Sequence, residues 1–124
     1  MKIKISADST CDLSPELLRE NDIELFPLFI NKGDETLRDG IDVRPEELYA
    51  YAKATGKLCQ TAAVNVSDYY AYFSAARAEY DAVIHFTISS DMSGCYQNAC
   101  TAAAEFENVY VVDSRNLSTG IALL

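Results

Sequence analysis

Hydrophobic residues along this chain fall into short runs separated by stretches of helical spacing. KIKISA (2–7), IELFPLFI (23–30), DAVIHFTI (81–88) and NVYVVD (108–113) are rich in Ile, Val and Phe and read as strands, with a shorter extended piece in KLCQ (57–60). Between them, SPELLREN (14–21), RPEELYAYAKA (44–54), SDYYAYFSAARAEY (67–80) and SGCYQNACTAAAEF (93–106) repeat apolar positions at helical intervals. Strands alternating with helices in this way predict a parallel sheet buried on both faces.

Local chemistry supports these boundaries. Ser14 before Pro15 is a cap followed by a first-turn proline, and Pro45 with Glu46 and Glu47 opens the next helix with acid at its positive end. Gly56 fits as the stop of that helix. The stretch FPLFINKGDETLRDG (26–40) interrupts the alternation, its Asn31-Lys32-Gly33-Asp34 reading as a turn between two extended pieces. Pro27 places this piece at a sheet edge, where a missing N–H costs nothing. The expected fold class is therefore α/β: a Rossmann-like three-layer parallel sheet with helices on both faces and an edge β-hairpin insertion. After NVYVVD the chain reads SRNLSTGIALL, where an apolar helix begins that is too short to hold itself helical. The expectation is a domain cut near the start of a helix.

At 124 residues, 49% of them apolar, one compact domain is the working count. Ten Lys and Arg against nineteen Asp and Glu leave a formal charge of -9, a field that repels nucleic acid and anionic lipid surfaces alike. No apolar run approaches the ~18 residues of a transmembrane segment and no leader pattern precedes Asp8, so a cytoplasmic location is expected. Cys11, Cys59, Cys95 and Cys100 are then expected as reduced thiols. They form no Cys-x-x-Cys, and with His85 as the single histidine no metal site is expected.

In open parallel sheets, ligands sit outside the carboxyl ends of the strands, where loops feed helix N-termini. Polar residues gather there: Asp8-Ser9-Thr10-Cys11-Asp12, Gln60-Thr61, Ser89-Ser90-Asp91-Met92-Ser93-Gly94, and Asp113-Ser114. The serine turn is the most informative, since Ser93 can present a hydroxyl while Gly94 lets a ligand approach the backbone at a helix start, an arrangement suited to an oxyanion. Each segment also has a plainer reading. The serines can cap the following helix, Thr61 can bond nearby backbone, and Asp8, Asp12 and Asp113 can satisfy backbone donors. His85 reads most simply as a packed strand residue, and the tyrosines as helix faces against the sheet, with Tyr96 close enough to the serine turn to line a pocket. A serine nucleophile lacks a placed base, and no Walker loop, Gly-x-Gly-x-x-Gly or Cys-x5-Arg pattern is present, so no self-contained catalytic set emerges.

Taken in order, Asp8-Ser9-Thr10-Cys11-Asp12-Leu13, Arg38-Asp39-Gly40-Ile41-Asp42 with Pro45-Glu46-Glu47, Gln60-Thr61, Ser89-Ser90-Asp91-Met92-Ser93-Gly94-Cys95-Tyr96-Gln97 and Val112-Asp113-Ser114 resemble the N-terminal domain of the DegV family of bacterial fatty-acid-binding proteins. The resemblance spans nearly the whole chain. It implies a two-domain, non-enzymatic protein that holds one long-chain fatty acid and presents it to a fatty acid kinase, which makes an acyl phosphate for phospholipid synthesis. Residues 1–124 would be the N-terminal domain, truncated at its C-terminus, with the second lipid-binding domain absent and no cofactor required.

Carried over residue by residue, Thr61 and Ser93 are the implied carboxylate ligands, Gly94 gives backbone access, and Ser9, Ala62, Ser89, Ser90 and Tyr96 are candidate pocket lining. Where the family pattern has Thr-Ser, this chain has Thr61-Ala62, one hydroxyl fewer, and Arg44 stands where a small capping residue is usual. Burying roughly sixteen methylenes at about 0.8 kcal/mol each gives on the order of 12 kcal/mol gross, so apolar walls can supply affinity while hydroxyls and a helix N-terminus receive the carboxylate. The alternative from another class is an enzyme acting on a phosphorylated or carboxylated metabolite, with Asp8 and Asp113 as acid/base or metal ligands. Exposed tunnel wall would also make the isolated domain self-associate.

Overall fold

The computed structural model describes residues 1–123. Its central sheet comprises β1 (Ile3–Asp8), β2 (Ile23–Phe26), β6 (Ala82–Thr87) and β7 (Val109–Asp113) in the order β2-β1-β6-β7, all parallel. The registers place Ser6 beside Glu24 and His85, and His85 beside Val111, while Ala7 lies beside Leu25 and Phe86, and Phe86 beside Val112. Parallel neighbours share a face and successive residues alternate, so Ser6, His85 and Val111 mark one face and Ala7, Phe86 and Val112 the other.

The connections fix where the helices go. From β1 the chain passes through α1 (Pro15–Glu20) to β2 on one side, and from β6 through α4 (Cys95–Ala103) to β7 on the other. Right-handed crossovers that step in opposite directions leave their helices on opposite faces. Helix α3 (Val66–Glu79) packs with α4, and together they cover the His85 face with a core built from Tyr69, Phe73, Val83, Cys95, Ala99 and Ala102. This is the three-layer α/β arrangement with helices on both faces. Among the described residues no helix is long and apolar enough to cross a membrane.

The run IELFPLFI does not form one strand. It breaks at Pro27 and Leu28, because Pro27 has no N–H to donate and the Leu28 amide turns inward to the Ser9 hydroxyl at 3.0 Å. The second half becomes β3 (Phe29–Lys32), which folds back on β4 (Glu35–Arg38) through Gly33 and Asp34, with Gly33 at φ +61°. The hairpin is therefore not an extension of the parallel edge. It forms a separate antiparallel sheet in which β5 (Gln60–Ala62) pairs with the other side of β3. The short extended piece expected at 57–60 is this strand, shifted towards Ala62, and its partner was invisible to local patterning.

The remaining boundaries follow capping chemistry. The Ser14 hydroxyl accepts from the Leu17 amide at 3.3 Å, and Gly56, at φ +69°, ends α2 (Pro45–Thr55). Arg44 contributes no side-chain cap to α2. Helix α3 starts one residue before the expected segment because the Asn65 side chain caps it, accepting from the Asp68 amide at 2.8 Å. After β7, one turn of helix, α5 (Gly120–Leu123), sits against the 3₁₀ turn Ser9–Cys11 that leaves β1. A Cβ at Gly120 would lie 2.2 Å from the Cys11 carbonyl oxygen and 2.9 Å from Leu13 Cδ2. Gly120→Ala is accordingly expected to cost about 1–3 kcal/mol of stability through overpacking, measurable as a lower urea midpoint; an unchanged midpoint would mean that α5 is not seated here.

Candidate functional site

The strand ends are organised around Asp8. This carboxylate is fully buried at the end of β1. One oxygen accepts from the Ile88 amide at 2.6 Å, just past β6, and the other accepts from the Thr10 amide at 3.1 Å and from the Thr10 hydroxyl. Burial pushes the Asp8 carboxyl above its ordinary value, against the opposite pull of the Thr10 and Ile88 donors. Ser9, next in sequence, holds the Leu28 amide. Both residues thus fasten strands together, and with all three donors already engaged Asp8 is not placed as a free acid, base or metal ligand.

The neighbouring loops are tied in the same manner. Asp113 Oδ1 accepts from the Ser90 amide at 3.2 Å and from the Arg115 amide at 3.0 Å, and the Arg115 guanidinium lies 3.3 Å from Oδ2. Hydrogen bonding from Ser90, joined by the Arg115 amide and charge, holds the Asp113 carboxyl below its ordinary value. Ser89 is buried and its hydroxyl accepts from the Asp91 amide at 3.2 Å. Asp12 and Arg115 both take left-handed backbone at φ +57°, a conformation non-glycine residues adopt at a cost in energy. The Ser118 hydroxyl donates to the Asp12 carboxylate, joining the first and last of these loops. The alternative pair, Asp8 and Asp113, is thereby assigned to scaffolding.

Ser93 and Gly94 stand where α4 begins. Ser93 Oγ accepts from the Cys95 amide at 3.2 Å, leaving its own proton free to donate. Gly94 is the cap residue and offers no side chain; a Cβ there would meet nothing closer than Asn98 Nδ2 at 3.9 Å, so the backbone is open to approach. The first intrahelical bond runs from the Asn98 amide to the Gly94 carbonyl at 3.0 Å. The Tyr96 and Gln97 amides therefore belong to the unpaired first turn of the helix.

Asn98 also donates from Nδ2 to the Val64 carbonyl at 2.9 Å, which holds the helix start against the loop leaving β5. Thr61, the centre of β5, is exposed, and Ala62 beside it points to the opposite face of the small sheet. A mainly apolar cavity of about 360 Å³ lined by Phe26, Pro27, Phe29, Ile41, Ala71 and Tyr72, with Arg38 and Asp68 also on its wall, lies on the Ala62 side, since Phe29 is the register partner of Ala62.

Tyr96, expected beside the serine turn, lies in the first turn of α4 with Cys100, Asp113 and Arg115 as its neighbours. Two residues before Asn98, Tyr96 faces away from Val64 and towards Cys100, one turn further on. Asn98 itself was missed, because an asparagine inside a helical run carries no local sign that its side chain spans to another loop.

The DegV family model, described as an uncharacterised protein family, matches residues 2–124. The chain belongs to the DegV family. A DegV domain-containing protein of Clostridium perfringens is 38% identical over 125 residues, covering 99% of this chain and 45% of the relative. Among solved structures, a DegV family protein from Thermus thermophilus described as binding fatty acid superposes with a TM-score of 0.85 at 30% identity, over 98% of this chain and 44% of its own. A stearic-acid-binding protein from Eubacterium ventriosum gives a TM-score of 0.85 at 30% identity, over 98% of this chain and 45% of its own. This DegV chain therefore spans a little under half the length of the relatives it matches.

Beneath the DegV strand ends lies a buried polar pair. Ser6 Oγ and His85 Nδ1 share a hydrogen bond of 2.8 Å, and the imidazole is enclosed by Phe26, Tyr69, Tyr72 and Phe73. Burial holds His85 down to about 3 and pushes Tyr72 up to about 12. His85 is thus neutral in the fold, as the packed reading requires. Because its folded value lies below its ordinary 6.5, the unfolded chain binds the extra proton, and stability present above that value is lost as pH falls towards about 3. The loss should reach up to about 1.4 kcal/mol per pH unit within that window. His85→Gln should show a smaller drop in urea midpoint between pH 7 and pH 4 than the parent; equal drops would contradict the assignment.

Proposed function

We propose that the protein carrying this domain binds a long-chain fatty acid without transforming it, and that Thr61, Ser93 and the open backbone at Gly94 receive the carboxylate. The observation that carries this reading is the start of α4, where a free hydroxyl proton and unpaired first-turn amides meet at a residue with no side chain in the way. A helix N-terminus favours negative charge, and a carboxylate buried against it needs several donors rather than a single cation. The related proteins from Thermus thermophilus and Eubacterium ventriosum, described as binding fatty acid and stearic acid, support the choice of guest.

In this reading the domain offers donors for the head group, and the acyl chain is walled mainly by the part of the protein outside the matched region, which in the relatives is more than half of the length. The Ser9 and Ser89 hydroxyls accept from the Leu28 and Asp91 amides and the Ser90 amide donates to Asp113, so these candidate lining residues also hold the loops around the site. A non-enzymatic holder of this kind supplies substrate to a separate fatty acid kinase, which transfers the phosphoryl group of ATP to the carboxylate oxygen, giving an acyl phosphate and ADP. A cytoplasmic location fits such a partner.

Native mass spectrometry of the whole protein should show one co-purifying fatty acid. Ser93→Ala and Thr61→Val should each weaken uptake of stearic acid at least about tenfold, the roughly 1.5–3 kcal/mol of a lost hydrogen bond to a charged group. Affinities unchanged in both variants would remove this site from the reading. Loss of uptake with neither lipid bound nor acyl phosphate formed by the wild type would remove the function itself.

A further inference from the structure

The two sheets end in four edge strands, β2, β7, β4 and β5, and three of them are blunted. Strand β2 contains Glu24, held by Lys4 at 2.7 Å, and runs directly into Pro27. Strand β4 carries Glu35 and Arg38 at its ends, and its Arg38 amide is taken by Asp42 Oδ2 at 2.9 Å. Strand β5 is only three residues long. Short length, charge and proline are the means by which exposed edges avoid pairing with another chain.

Strand β7 has none of these before its last residue. Val109-Tyr110-Val111-Val112 is apolar throughout, and Asp113 turns its carboxylate onto the Ser90 and Arg115 amides of its own chain. Among the described residues no segment pairs with the outer side of β7. After Asp113 the chain turns back over the strand ends, where the Asn116 carbonyl accepts from the Ser89 amide and the Thr119 amide donates to Thr10, so the edge stays uncovered. Alongside it, Cys100, Ala103 and Ala104 of α4 line a groove of about 410 Å³, small side chains that leave room for a neighbouring helix.

The ladder to β6 fixes which backbone groups of this edge are free. The Val83 amide donates to the Asn108 carbonyl at 2.9 Å, and the Ser114 amide donates to the Thr87 carbonyl at 3.2 Å. Successive peptide groups of a pleated strand point to opposite sides, so Asn108, Tyr110, Val112 and Ser114 address β6. The N–H and C=O groups of Val109, Val111 and Asp113 therefore point outwards, a row that serves as a template for a further strand. That row is symmetric about Val111. A two-fold axis there sets Val111 against its own counterpart and Val109 against Asp113 of the second copy, and every outward N–H meets an outward C=O. The same register places Tyr110, 56% exposed, opposite Val112 of the second copy, an aromatic against a β-branched residue as cross-strand pairs favour.

We propose that the protein self-associates as a two-fold dimer through antiparallel pairing of β7 with β7, which joins the parallel sheets of two copies into one. The occupant is a second copy because the strand is its own complement about Val111, with no charge or proline inside it to oppose the match.

Sedimentation equilibrium of the whole protein between about 1 and 100 μM should show a monomer–dimer equilibrium, the range in which a modest interface is half-occupied. Val111→Pro removes one outward N–H and no bond to β6, a substitution that an edge strand tolerates, and should raise the dimer Kd at least about tenfold. If that variant does not fold, Tyr110→Lys puts the charge of a protected edge at an already exposed position and should act in the same direction. Val111→Cys with Cys100→Ser brings two thiols to the axis, where opposed Cα atoms stand about 5.5 Å apart, and should give a disulfide-linked dimer on mild oxidation. The Cys100→Ser parent, oxidised alongside, supplies the background. A protein that stays monomeric throughout the range would overturn the proposal, as it would if another part of the chain occupied this edge. A dimer whose Kd is unchanged by the edge variants, and which does not cross-link through position 111, would place the contact elsewhere and overturn it equally.

Discussion

The upper edge of this domain depends on one buried carboxylate. Asp8 reaches from the end of β1 to the Ile88 amide beyond β6 and to both donors of Thr10, so a single side chain fixes the exits of two central strands and the turn between β1 and α1. A charge removed from water is tolerable only when its lone pairs are met, and three donors meet them here. Everything nearby is referenced to that point. Ser9 draws in Leu28 and so directs the small sheet, Thr10 supports Thr119, and the serine turn after Ile88 leaves β6 from a fixed position.

The consequence is a site made mostly of backbone. Serines and aspartates that look in the sequence like a reactive cluster spend their hydrogen bonds on holding loops in place, and what remains open is the start of α4 with Ser93, Gly94 and unpaired amides. Aligned dipoles and hydroxyl donors of this kind favour an anion. The single histidine is enclosed by aromatic rings one layer below and kept neutral by burial.

A four-stranded parallel sheet needs two covering layers, and this chain supplies one complete layer, α3 with α4, and one short helix on the other side. The chain spans a little under half the length of the relatives it matches.

The sequence by itself determined the class of fold and the gathering of Ser/Thr-rich loops at the strand ends. Period-two and helical spacing are local properties, caps such as Ser14 and stops such as Gly56 act within one turn, and the strand–helix order compels a parallel sheet whose ligand edge carries the Ser/Thr loops. Only the tertiary structure decided which of those loop residues stay free. That β3 leaves the parallel sheet to pair with β4 and β5, that Asp8 and Ser9 fasten backbone 80 and 19 residues away, and that Asn98 holds Val64 are all outcomes of long-range pairing. A hydroxyl's sequence neighbours do not record which distant amide will claim it, and that competition, settled only when the strands are in register, separates the ligand-facing residues from the structural ones.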